Sequence, residues 1–140
     1  MTVACGGSPD LPAGQRSSTV SVLPVVEGAA VNLRELCFHL RNRRRMYLFD
    51  DRYGTAVGFV EGFNSAFDGV PLSGFQEYVA TRTGHPGSGV HWSYLIASTS
   101  VPGILDAGPD LGQVPVELGV SLTDELVDLL EAYQADSESA

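Results

Sequence analysis

The strongest constraint on folding in this chain is a leucine stripe near its end. Leu122, Leu126, Leu129, Leu130 and Tyr133 recur at i, i+4, i+7, i+8 and i+11, which is one face of a helix and both faces of a strand. Ser121 and Asp124 supply a start signal, and Asp128, Glu131 and Asp136 fall on the opposite side. Such a helix holds only when another apolar surface covers its stripe, so the remaining chain must provide that surface.

It offers several matching faces. Asn32 followed by Glu35 is an N-cap pattern, and Leu33, Leu36, Cys37 and Leu40 continue it at helical spacing, predicting a helix over 32–43. A second helix is predicted from Asp50 or Asp51, acids suited to a helix N-terminus. It carries one stripe of Tyr53, Val57, Val60 and Phe67 and an adjacent one of Ala56, Phe59, Phe63 and Ala66. Apolar cover that wide predicts a central, largely buried helix. Gly58 and Gly62 lie inside it, each costing roughly 1 kcal/mol in a helix interior. Their spacing predicts a close helix-to-helix approach, within the chain or across a dimer interface.

Ser73 with Gln76 reads as a capping box that opens a third helix through Phe75, Tyr78 and Val79, ending at Gly84. Residues 83–89 form a glycine-rich loop, and 91–98 (HWSYLIAS) a buried element, helix or strand. The stretch 99–119, rich in Gly and Pro, predicts a long irregular connection of the kind that serves as a lid or a partner-binding loop. Pro24 restricts 19–26 to an edge strand or an extended lead-in. Residues 1–20 show no periodicity and read as a flexible, disordered N-terminal extension. The expectation is a mainly α, single-domain bundle of about five helices over 21–140.

Composition narrows the function. The chain has 140 residues with 44% hydrophobic content, enough for a core of its own. No apolar run approaches the ~18 residues of a membrane span, so no membrane partner is expected. Eight basic residues stand against 17 acidic ones, for a net charge of −9, and all eight are arginine. The lack of lysine excludes Schiff-base chemistry and a lysine-bearing phosphate loop. An acidic field repels phosphate backbones, which argues against nucleic acid as a partner. Cys5 and Cys37, the two cysteines, make no disulfide framework, and a cytoplasmic location is expected. His39, His85 and His91 lack ligand spacing, so neither a metal nor another cofactor is expected.

The charges are segregated. Arg41, Arg43, Arg44, Arg45 and Arg52 cluster, whereas acids such as Asp110, Asp124, Asp128, Glu131 and Glu138 dominate after Arg82. The plainest expectation is that cluster and acids match each other, within the chain or across a dimer; the alternative is a basic site for a ligand carboxylate or phosphate. Glu35 and His39 share a helix face at i, i+4 and are positioned to hold one another. Glu61, among apolar neighbours, needs a partner, and Arg43 or Arg45 is the expected one. Trp92 is expected in the core, and His91 stands beside the glycine-rich loop.

Four blocks between residues 43 and 96 carry a resemblance. Arg43-Arg44-Arg45-Met46-Tyr47-Leu48 resembles the Arg-Pro-x-Met-Tyr-Leu opening of a family of small bacterial proteins. Phe59 through Ala66 is similar to that family's Phe-x-x-Gly-Tyr-x-x-Ala helix, and Gly74 through Ala80 and Trp92 through Ile96 to its later blocks. Arg44 stands in place of the family's proline, Phe49 of a glycine, and Phe63 of the tyrosine. Within that family the chain looks like the lysinoalanine-forming maturation proteins of cinnamycin- and duramycin-type lantibiotic clusters. The resemblance implies a small helical homodimer that acts on a modified precursor peptide. It joins a peptide lysine to a dehydroalanine by aza-Michael addition, with the peptide's own hydroxyaspartate as base. On that basis Glu61 and His91 are the expected catalytic pair, and Arg43, Tyr47, Glu77 and Trp92 the expected substrate-binding residues. Other family members occur as immunity-like partners of toxins, which makes an acidic protein that binds a cationic toxin without catalysis the rival expectation.

Overall fold

Helix α5 (Gly119–Ser139) carries the leucine stripe and organises the molecule. Leu122, Leu126 and Leu130 are fully buried, and Thr123 and Val127 widen the buried face. Each buried aliphatic side chain of this size stabilises the fold by about 1.5–3 kcal/mol. The computed structural model describes residues 33–139 apart from 107 and 109. The expected extension over 1–20 and the expected lead-in over 19–26 lie outside the described residues.

Four further helices supply the surface that α5 needs. Helix α1 (33–42) buries Leu33, Leu36, Cys37 and Leu40, the four residues of its predicted face. Next come α2 (Tyr53–Ala66), α3 (Phe75–Arg82) and α4 (Trp92–Ala97). Helix α2 packs on α5, α3 packs on α4, and α3 and α4 both touch α5. The 91–98 segment is thus a helix, with all of α4 buried except Tyr94. Among the described residues there is no strand, and the fold is mainly α. None of their helices is long and apolar enough to cross a membrane.

Two local expectations are corrected. Helix α2 is central only over its first two turns, where Tyr53, Ala56, Val57 and Val60 are buried. Phe59 and Phe63, on the adjacent stripe, are half-buried, and Ala66 is exposed. The capping box at Ser73 does not form. Gly74 takes the cap position at φ 96°, with no side-chain cap bond, and the Gln76 amide instead donates to the Val90 carbonyl at 2.6 Å. Tying the 83–90 loop to α3 outweighs closing α3's own first turn. The connection after α4 is irregular over its described part, as expected. Two short 3-10 turns (Leu111–Gln113 and Val116–Leu118) punctuate it, and Ile104 and Val114 plug it into the core.

The glycine correction is the most informative. Gly58 and Gly62 are exposed, and a Cβ at either would meet nothing within 4 Å among the described residues, so neither serves a close approach between the described helices. The close approach is at Gly119. A Cβ there would stand 1.9 Å from the Asp51 carbonyl oxygen and 2.9 Å from its carbon. The start of α5 rests directly on the backbone that leads into α2, and only a hydrogen fits between them.

The segregated charges meet within the chain. Arg41 pairs with Asp128 at 2.6 Å and Glu131 at 2.9 Å, Arg44 with Asp124 at 2.7 Å, and Arg82 with Asp136 at 3.2 Å. Arg34 pairs with Glu138. Exposed pairs of this kind contribute about 0–1 kcal/mol each, so they align α1 along α5 rather than drive folding. Arg44 is the more deeply set: its Nε also donates to the Leu40 carbonyl at 2.8 Å, closing the end of α1.

These contacts predict opposite outcomes for glycine substitutions. Gly119→Ala should lower unfolding free energy by about 2–4 kcal/mol through overpacking against backbone. Gly62→Ala should raise it by up to about 1 kcal/mol through helix propensity alone. Urea denaturation followed by circular dichroism reads both, and a neutral Gly119→Ala would contradict the described contact.

Candidate functional site

A hydrogen-bonded side-chain cluster with a solvent-facing edge forms where α2 meets the start of α4. Helix α2 turns Glu61 toward α4, and there it meets His91 and Trp92. Glu61 Oε2 lies 2.5 Å from His91 Nε2 and accepts the Trp92 indole N–H at 3.1 Å. The expected arginine partner is therefore not the one found. Arg45 pairs with Asp51 at 3.0 Å, and Arg43 lies over the Phe38 ring at 5.6 Å.

His91 is held from both sides. It is the N-cap of α4, and its Nδ1 accepts the backbone N–H of Ser93 at 3.1 Å. That nitrogen must present a lone pair, so the proton of the neutral ring sits on Nε2 and is donated to Glu61. Ser93 Oγ also lies 2.7 Å from Nδ1. Hydroxyl, imidazole and carboxylate thus stand in line, an order that suggests a nucleophilic triad. Burial decides against it: Ser93 is 2% exposed and its hydroxyl cannot reach an external acyl group. The accessible end is the other one. The Glu61 and His91 side chains are 35% and 40% exposed, and Glu61 Oε1 has no hydrogen-bond partner among the described residues. A ligand proton can be accepted there, next to an imidazole that keeps the carboxylate oriented.

Two residues outside the expected set complete this arrangement. Tyr53, on the buried face of α2, donates its hydroxyl to the Ser93 carbonyl at 2.7 Å and so fixes α4 against α2. Burial, and then the Glu125 charge, push the Tyr53 phenol well above its ordinary range. Ser93 supplies the N–H and hydroxyl that set the His91 ring. The spacing His-x-Ser just before an apolar helix was the available sequence signal for Ser93; nothing in the sequence marked the Tyr53 bond.

The other expected site residues lie elsewhere. Trp92 is buried at 3% exposure, edge-on to Phe75, so it offers its indole N–H to Glu61 but no ring face to a ligand. Tyr47 stacks between His39 at 4.9 Å and Phe59 at 5.7 Å, in the neighbourhood of Arg43 and Phe38. Glu77 accepts the Thr81 hydroxyl at 3.3 Å and lines a shallow groove of about 610 Å³ between α3 and α5 with Tyr78, Arg82 and Tyr133. Glu61, His91 and Trp92 come together; Arg43 with Tyr47, and Glu77, belong to two further surfaces. The expected Glu35–His39 pair does not form, because His39 turns into the Tyr47 stack, where its Nδ1 is buried without a partner among the described residues.

Cys37 is inert by placement. Burial first, and then the Glu131 carboxylate, push its thiol from 9.0 up to about 12 against the opposing pull of Arg41. Among the described residues no three His, Cys, Asp or Glu side chains converge as metal ligands would. A scan against protein-family models finds no match to this chain, and searches of curated proteins and of solved structures find none either.

Two outcomes follow. His91→Ala should cost about 1 kcal/mol by removing the α4 cap, and His91→Asn should recover most of it, since an amide oxygen can accept the same N–H; urea midpoints rank the three proteins. Cys37 and Tyr53 both hold their protons more tightly folded than unfolded. The unfolded chain therefore releases them first, and stability should fall as pH rises from about 9 toward 12. Denaturation series at neutral and alkaline pH check the sign, and Cys37→Ala should flatten the alkaline loss.

Proposed function

We propose that this protein closes a lysinoalanine crosslink in a lanthipeptide, acting chiefly by positioning. The guest peptide supplies both reacting groups: a lysine ε-amine, which this chain itself cannot provide, and a dehydroalanine. The amine nitrogen bonds to the alkene β-carbon, the π electrons pass to the α-carbon as an enolate, and that carbon takes up a proton. The ammonium formed at nitrogen loses one, so no mass is gained or lost. A carboxylate of the peptide itself acts as base toward the amine, and holding the two ends in a reactive geometry can lower the barrier by roughly 7–11 kcal/mol.

Support comes from the Glu61–His91 couple, a partly exposed, oriented acid–imidazole pair in which, among the described residues, one carboxylate oxygen has no partner and the adjoining Ser93 hydroxyl is buried. That equipment suits proton relay to an enolate carbon better than covalent catalysis. The resemblance of the four blocks to a family of small bacterial proteins, the lysinoalanine-forming ones among them, adds to this reading. The rival reading, an acidic immunity protein occluding a cationic toxin, draws less support. Asp124, Asp128, Glu131, Asp136 and Glu138 are already bound by the chain's own arginines.

The test is incubation with a hydroxylated, lanthionine-bearing precursor that lacks the crosslink. Cyclisation leaves the mass unchanged, so loss of thiol-reactive dehydroalanine is the readout. Glu61→Gln and His91→Asn should slow that loss by about 10²-fold or more while the protein stays folded. Dehydroalanine that persists at the buffer rate with the wild-type protein would remove the proposal.

A further inference from the structure

A side chain of α3 fixes the end of the loop that leads into α4. Gln76, half-buried in the first turn of α3, donates its amide to the Val90 carbonyl at 2.6 Å, and the same nitrogen lies 3.4 Å from the Ser88 carbonyl. Neither carbonyl takes a backbone N–H among the described residues. One amide with two hydrogens therefore serves both. The loop holds itself only loosely before that point. The His85 N–H donates to the Ala80 carbonyl at 2.8 Å, the Ser88 N–H to the His85 carbonyl at 3.0 Å, and the Val90 N–H to the Ser88 hydroxyl at 3.1 Å. Gly84 and Gly87, at φ 85° and 80°, bend the chain between those bonds.

The clamped carbonyl is next to the candidate site in the chain. It belongs to the peptide unit whose nitrogen is that of His91, and the unit is planar, so holding the oxygen sets the direction in which His91 leaves the loop. From there the His91 ring meets two targets at once, the Ser93 N–H at 3.1 Å from Nδ1 and Glu61 Oε2 at 2.5 Å from Nε2. Two side-chain torsions cannot close both contacts unless the backbone is already in place. Gln76 has a rigid footing for this task, because Phe75, Val79 and Ala80 on α3 are fully buried. It is bonded to neither Glu61 nor His91, and its link to them runs through Val90.

We propose that Gln76 is a positioning residue for the Glu61–His91 pair. Its amide holds the Val90–His91 peptide unit, and through it the ring orientation that aims the Glu61 carboxylate. This rests on the reading of that pair as the working groups of the site. A displacement of about 1 Å at such groups, caused by a change some distance away, can cost about 10²-fold in rate.

The experiment is NMR correlation of histidine ring nitrogens and protons in the full chain at mildly alkaline pH, with His91 assigned by its loss in His91→Asn. The wild type should show His91 in one tautomer, with the proton on Nε2. Gln76→Met keeps the side-chain length and removes the donor; it should mix the two tautomers and shift the Trp92 indole N–H. Gln76→Asn, whose amide falls one methylene short, should do the same, and circular dichroism confirms that both fold. Tyr133→Phe is the control: it removes the bond to the Ser73 carbonyl at the other approach to α3 and should leave the His91 ring unchanged. With the lanthionine-bearing precursor, Gln76→Met should lower kcat for dehydroalanine loss about tenfold or more at unchanged KM. An unaltered His91 ring in both Gln76 variants overturns the proposal, as does an equal change in Tyr133→Phe or an altered ring with undiminished kcat. The spectra need no precursor. Wild-type protein that leaves dehydroalanine at the buffer rate thus removes the crosslinking reading, while the ring signals still decide whether Gln76 sets the pair.

Discussion

The absence of a side chain at position 119 sets the distance between the start of α5 and the backbone that enters α2. From there a short causal chain reaches the candidate site. The Asp51 carbonyl fixes where α2 begins, and Asp50 firms that turn by accepting the Thr55 hydroxyl and the Arg52 N–H, bonds that hold its carboxyl below the usual range. Tyr53, in the first turn of α2, then ties the Ser93 carbonyl, and Ser93 orients His91 against Glu61. The site is assembled by backbone approach and buried hydrogen bonds. The surface ion pairs between α1 and α5 contribute alignment and little else.

Much of this architecture can be read from periodicity, and the reason is physical. In α1 and α5 the apolar residues that must be covered are the ones whose spacing gives the helix away, so Leu33, Leu36, Cys37 and Leu40 are buried together, as are Leu122, Leu126 and Leu130. Helix α4 is nearly all buried, which erases the alternation that tells a helix from a strand and leaves its type open in the sequence. The Ser73–Gln76 pattern misleads because a capping box is a local preference worth about 1 kcal/mol, and Gln76 finds the Val90 carbonyl instead.

The site was half legible. Glu61 is conspicuous because an acid on an apolar helix demands a partner, and His91 because it borders a buried segment. Their pairing is a long-range fact that no spacing encodes, and the two expected cations, Arg45 and Arg43, are drawn off by Asp51 and by a ring. The glycines teach the same lesson. Gly58 and Gly62 attract attention by sitting four apart in a helix, whereas Gly119 looks like an ordinary residue in a loop-rich stretch. Steric need is set by what arrives from elsewhere in the chain, and the sequence around a glycine does not report it.

The cap at His91 joins two helices through a single ring. Its Nδ1 lone pair is committed to the first turn of α4, while its Nε2 lies against Glu61 on α2. Any substitution that turns this ring therefore disturbs the opening of α4 and the aim of the carboxylate together. The Trp92 indole, bonded to the same Glu61 oxygen, sits where both disturbances arrive.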